Sequence, residues 1–337
     1  MNNTKFLRII VVIAAITTTS AVIFFVYVLG HHSERIASHA YTKMHTLQDE
    51  KEEHCNYSPT YSSMQSHISK YIDVYHKVQL QQYLKYDVPY YILYEFFNES
   101  RFNHIAVHYH NIATGFTFNH NPNRVYFAAS TTKAPFALYI YKKAEQGKTD
   151  LNYTHIFKQQ YYTQGSGIIR HNYELGHTFN QHQLLGYNLY LSDNIALRML
   201  RSIHGVDGFR KFTASLGANP NLIYNITYSR TTATQLGIFA KAMYDYINSN
   251  SIYSRQFLNH LLNNHYTFIT SSYPTASKTG WWQGFGGAWH ELAIIYAPSP
   301  YILVILSDNY GGSDTPLMQE ISEFIEEFNR YFLTTGK

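Results

Sequence analysis

Two apolar runs near the C-terminus constrain the fold more than any other stretch. His290–Tyr296 and Tyr301–Ser307 are almost continuously apolar, and Ala297-Pro298-Ser299-Pro300 separates them. Runs of this length around a proline turn read as buried strands. Strands buried on both faces need a layer on each side. A helix predicted over about 316–332 supplies one layer, with Leu317, Ile321, Phe324, Ile325, Phe328 and Phe332 along a single stripe.

The remaining strands come from far earlier. Ile105–His110 alternates, Asn111–Gly115 is a turn, and Phe116–Phe118 begins a returning strand. Helices fill the interval. One runs from about Ser130 to Gln146, with Gly147 as its stop. Others include Leu184 and Leu185, Ile195–Leu200, Val206–Phe212, and Leu236 to Met243. Strands at both ends with helices between them predict an α+β fold over 96–337. Its antiparallel sheet is formed by the N- and C-terminal parts of the domain and packed with helices, beside an all-helical subdomain.

The segment before this domain has a different character. Residues 9–29 contain no charge, and their length at helical rise matches the hydrocarbon thickness of about 30 Å. Lys5 and Arg8 precede the run, which keeps the N-terminus cytoplasmic and exports the rest. Residues 1–30 are therefore expected to be a cytoplasmic tip and a transmembrane signal anchor in the cell membrane. The competing reading is a cleaved signal peptide, for which the run is long and lacks an A-x-A site. Residues 31–95 are polar and rich in His, Tyr, Ser and Gln, a stalk or a small accessory region.

Composition excludes several classes of function. The net charge of +4 is small and unclustered, so no nucleic-acid footprint is present. Cys55 is the single cysteine, so no intramolecular disulfide forms. His108 and His110 share one face of a strand, but spacing places no third metal ligand, and a solvent-facing strand edge is the expected reading. No metal and no organic cofactor is called for. The oligomeric state is left open.

Three short motifs carry chemistry. Ser130-Thr-Thr-Lys133 opens the apolar helix at 130–146, and i, i+3 spacing brings the lysine back over the serine. A desolvated lysine can serve as the base that a serine nucleophile requires. A chain of this length holds about one such pair by chance. Two further motifs follow in order: Ser192-Asp193-Asn194 between helices, and Lys278-Thr279-Gly280 on or beside a sheet edge. With this order and context, residues from about 96 onward resemble the class A β-lactamase-like and penicillin-binding-protein-like serine hydrolases.

That resemblance implies roles. Ser130 would be the nucleophile, Lys133 its base, and Ser192 a proton carrier toward the leaving nitrogen. Asn194, Lys278, Thr279, Gly280 and Trp281 would bind substrate. Lys278 and Thr279 suit a carboxylate, Gly280 admits the substrate backbone, and the N–H groups of Ser130 and Trp281 would form the oxyanion hole. The implied ligand is a peptidoglycan stem peptide of the D-Ala-D-Ala type, or a β-lactam.

One family feature is missing. The E-x-x-L-N glutamate that activates the deacylating water has no counterpart, and no Asp or Glu lies between Asp207 and Asp245. Glu174 and Glu291 are the nearest substitutes. The expected function is therefore acyl-enzyme formation on Ser130 with slow β-lactam turnover. A β-lactamase with a non-standard deacylating group and a ligand-sensing module are the alternatives.

Overall fold

The computed structural model describes residues 90, 93–94, 96–225, 228–284, 287–309 and 313–332. The uncharged run 9–29, Cys55 and most of 31–95 lie outside the described residues. Among the described residues no helix is long and apolar enough to cross a membrane. The chain divides into two units, Met1–Ser100 and Arg101–Lys337, and the second contains every candidate site residue.

Both apolar runs are strands: β8 spans Ala288–Ile295, β9 spans Tyr301–Ser307, and every residue of each is buried. They pair antiparallel from Trp289 opposite Ser307 to Ile295 opposite Tyr301. On its other edge β9 pairs with β1 (Ile105–Asn111), which pairs with β2 (Thr117–His120). Beyond β8 lies β7 (Thr275–Trp282), giving a five-stranded antiparallel sheet in the order β2-β1-β9-β8-β7. The expected closure of one sheet by the two ends of the domain is observed.

Strand alternation sorts the side chains onto two faces. Val107 and Tyr109 of β1 lie on the face covered by α8 (Thr315–Phe332), where the Tyr109 and Phe328 rings meet edge-on at 5.8 Å. That helix buries Met318, Ile321, Ile325 and Phe328. Met318 thus takes the core position expected of Leu317, which is only half-buried.

The opposite face carries Ala106, Leu292, Ile294, Ile302, Val304 and Leu306 and packs on the helical layer. At its centre is α1 (Lys133–Glu145), apolar on nearly all sides, with Phe136, Leu138, Ile140 and Tyr141 fully buried. Around it stand α3 (Gln181–Tyr190), α4 (Asn194–His204), α5 (Asp207–Ser215), α6 (Ala233–Ile247) and α7 (Ile252–Leu262). Side-chain caps start several of them: Asn180 for α3, Asp193 for α4, Thr232 for α6 and Ser251 for α7.

Three expectations need correction. His108 and His110 do share a face, but both are half-buried and His108 lies directly under α6. A Cβ on Gly237 of α6 would fall 2.3 Å from the His108 ring. Their Nδ1 atoms are held by Asn119 and Thr117 across the β1–β2 pair, and β2 takes the edge position instead. Second, Ser130 precedes the α-helix, in a 3-10 turn at Ala129–Thr132. Third, α7 and a small two-stranded sheet, β4 (Thr154–Ile156) with β5 (Thr178–Asn180), had no expected counterpart.

Candidate active site

The Ser130 turn is clamped from three sides. A short strand, β3 (Tyr126–Phe127), pairs with β6 (Arg230–Thr231), and the Ala128 N–H donates to Ser229 O at 2.9 Å. His290 Nε2 donates to Phe127 O at 2.8 Å, while His290 Nδ1 accepts the Ser307 N–H at 3.2 Å. These two partners fix a neutral tautomer, and burial pushes the imidazole down to about 4. The third contact is with β7. A Cβ on Gly280 would lie 2.8 Å from both Ser130 N and Thr131 N. The observed neighbour of Gly280 is therefore the backbone of Ser130 and Thr131. Ala129, just ahead of Ser130, holds φ at +46°, a strained conformation for a residue with a Cβ. The Ser130 N–H donates to no group among the described residues, as the start of a helical turn allows.

Eclipsed i, i+3 positions of the 3-10 turn put Lys133 on the face of Ser130. The lysine is fully buried at the first position of α1. Its Nζ donates to Ser192 O, to Ser192 Oγ at 3.1 Å and to Asn194 Oδ1 at 2.8 Å. No hydrogen bond joins Nζ to Ser130 Oγ in this resting arrangement. Burial, then the nearby Lys278, push the Lys133 ammonium well below the usual lysine range, with Asp193 opposing. Carbonyl and amide oxygens only accept, so Ser192 Oγ is the one partner that can return a proton to a neutral Nζ.

Ser192-Asp193-Asn194 is a built loop. Ser192 takes φ of +54°, which turns its carbonyl toward Lys133. Asp193 Oδ1 caps α4 through the N–H groups of Ile195 and Ala196, and Oδ2 accepts the Ile169 N–H at 2.9 Å. Asn194 Nδ2 donates to Gln164 O, which orients its oxygen toward the lysine. Gly165 and Gly167 permit this packing. A Cβ on either would fall 2.3 Å from Asn194 Nδ2 or 2.1 Å from Asp193 Oδ2. The G-x-G spacing at 165–167 was the sequence signal for this support, and its function was missed.

Register places Lys278, opposite Leu292, and Gly280, opposite His290, on the helical face beside Ser130. Thr279, opposite Glu291, and Trp281, opposite Trp289, lie on the other face of the same edge strand. Lys278 is fully buried, its Nζ bound to Thr279 O at 3.0 Å, and desolvation lowers it to about 7 despite Glu291. Trp281 is partly exposed and stacks on Trp289. The structure thus brings Ser130, Lys133, Ser192, Asn194, Lys278 and Gly280 together, with Thr279 and Trp281 on the reverse of β7.

Neither substitute acid makes a hydrogen bond to this cluster among the described residues. Glu291 is buried on the reverse face, where its carboxylate accepts the N–H groups of Phe268 and Ile269 and the Thr267 hydroxyl. Glu174 is exposed, and its carboxylate makes no hydrogen bond among the described residues.

Residues 92–328 match the family model described as the beta-lactamase enzyme family. The chain belongs to that family. Solved structures agree on the fold. A β-lactamase from Sphaerobacter thermophilus DSM 20745 is 18% identical with a TM-score of 0.58, covering 69% of this chain and 92% of that one. TLA-3, an extended-spectrum β-lactamase, is 17% identical with a TM-score of 0.61, covering 72% and 98%. A PBP-A mutant in acyl-enzyme complex with penicillin G is 15% identical with a TM-score of 0.56, covering 68% and 90%. No curated protein matches the chain.

Proposed function

We propose that this family member forms an acyl-enzyme on Ser130 and releases it slowly. The observation that carries the reading is a fully buried Lys133, its ammonium pushed well below the usual lysine range by that burial, one turn from a serine whose N–H donates to no group among the described residues. Ser130 Oγ attacks the substrate carbonyl and its proton passes to neutral Lys133. The carbonyl becomes an oxyanion held by backbone N–H groups at Ser130 and Trp281. Ser192 relays the proton from Lys133 to the departing nitrogen as the C–N bond breaks. Lys278 offers a charge for a substrate carboxylate, which favours D-Ala-D-Ala-type stem peptides and β-lactams as acyl donors.

Slow release is supported by the placement of the acids. Glu291 faces away from Ser130, all three carboxylate contacts of Asp193 are spent on backbone N–H groups, and no acid occurs between Asp207 and Asp245. The uncharged run at 9–29 supports a membrane-anchored, extracytoplasmic setting facing peptidoglycan.

A fluorescent penicillin with intact-mass readout tests the proposal on the full chain. A lasting adduct that disappears in Ser130→Ala is expected. Rapid turnover of a chromogenic cephalosporin would instead favour the β-lactamase reading, and no adduct at all would remove the acyl-enzyme. D-Alanine release from a stem peptide separates a peptidase from a sensor.

A further inference from the structure

A second concavity lies away from Ser130, between α3 and α7. It is an open groove of about 630 Å³, within the usual size of a ligand site, and nine residues line it. None of the nine is Asp, Glu, Lys or Arg. Its polar groups are neutral amides from Gln183, Gln256, Asn259 and Asn263. Burial lowers the imidazoles of His182 and His260 as well, so they add hydrogen-bonding capacity without charge near neutral pH. Tyr187 and Tyr190 supply flat faces, and Gly186 keeps the floor low, since a Cβ there would meet the His260 ring at 3.1 Å.

This chemistry selects among ligands. A phosphate, a carboxylate or an ammonium finds no opposite charge here. A sugar chain fits both halves of the lining. Each hydroxyl and acetamido group both donates and accepts, as the side-chain amides do. The C–H faces of a pyranose pack on a tyrosine ring such as the exposed Tyr190, while the Tyr187 hydroxyl is held by Tyr173.

The groove also runs toward the nucleophile. Tyr190 ends α3 two residues before Ser192, and the His265 N–H donates to Tyr190 O at 3.1 Å. Next to His265, Asn264 Nδ2 donates to Ser277 Oγ at 3.3 Å, one residue before Lys278. One end of the groove therefore runs through Tyr190 into the Ser192 loop, and the adjoining Asn264 and His265 tie it by hydrogen bonds to Tyr190 and to the strand of Lys278.

We infer that this groove binds the N-acetylated sugar backbone of a cell-wall polymer, holding the strand whose peptide branch is offered to Ser130. The inference rests on the acyl-enzyme reading for its direction, but its test is separate. Chitotetraose, a neutral N-acetylglucosamine chain, is titrated calorimetrically into the full-length protein in detergent micelles. Saturable binding is expected, weakened about tenfold or more in Asn259→Ala and in Tyr190→Ala, as loss of one well-placed contact predicts. Both residues are solvent-exposed and outside the Ser130 cluster, so the variants should keep wild-type penicillin labelling. Maltotetraose, which lacks the acetamido groups, should bind more weakly. Absence of chitotetraose binding, equal binding by both variants, or equal affinity for maltotetraose would overturn the inference. Labelling of Ser130 without sugar binding discards the groove alone. Sugar binding without labelling discards the acyl-enzyme and leaves the groove.

Discussion

Gly280→Ala isolates the contact between the edge strand and the Ser130 turn. Gly280 lies outside the left-handed region, so its backbone dihedrals accept alanine. Space does not. The new methyl would stand 2.8 Å from Ser130 N and Thr131 N and 3.1 Å from Ala128 O, all of them backbone atoms. Ordinary contact begins at about 3.4 Å, so the turn must retreat by roughly 0.6 Å. A displacement of that order at a reacting atom costs about 10- to 100-fold in rate. Alanine also recovers about 0.5–1 kcal/mol of backbone entropy relative to glycine, which offsets part of the strain. The expected result is a one- to two-order fall in the second-order rate of penicillin acylation, with an unfolding midpoint near wild type. Stopped-flow labelling and thermal melting read the two quantities. Wild-type acylation by Gly280→Ala would refute the inferred close approach, and a collapse in melting temperature would show that the contact serves folding instead.

Three further outcomes follow from the same geometry. Because burial depresses Lys133, its neutral form accumulates at lower pH than for an ordinary lysine, so acylation should rise with pH and level off well below 10.5; Lys133→Arg, permanently charged, should lose about 10²–10⁴-fold, and a flat pH profile would remove the lysine as base. Burial lowers Lys278 to about 7 in the folded chain against 10.5 when unfolded, so the unfolded state binds more protons across that window and stability should rise with pH there; urea unfolding of Lys278→Met should show a shallower slope, with the depressed Lys133 supplying the remainder. Asp193→Ala strips the cap from Ile195 and Ala196 and orphans the Ile169 N–H, a loss of about 2–4 kcal/mol measurable by denaturant titration.

Much of the fold was legible because its signals are local. The runs forming β8 and β9 are apolar in sequence since both faces are covered, and the α8 stripe recurs at helical spacing. α7 escaped because Ile252–Leu262 buries only Ser254, Phe257 and Leu261, too sparse a pattern to stand out. β4 and β5 are three residues each, below the length at which alternation can be read. The three motifs were legible as residue types in order. Their supports were not. His290 sits within an apolar run, and its two backbone partners, Phe127 and Ser307, are remote in sequence. The face assignment of Thr279 depends on the register of β7 against β8, which a motif alone does not carry.

The sheet also orders events in time. Ile105 pairs with Ser307, about two hundred residues away, and the Ser130 turn rests on Gly280 and His290. Such long closures make folding slow, since loop entropy is lost before contacts return it. A chain growing from its N-terminus therefore carries its serine, its lysine and the Ser192 loop through most of its synthesis without a seat for any of them. Under the proposed function, reactivity would switch on only when the last two strands arrive. That delay would keep a half-made site from trapping an acyl donor, and a truncation of the final strand pair should leave all three motif sequences short of a working centre.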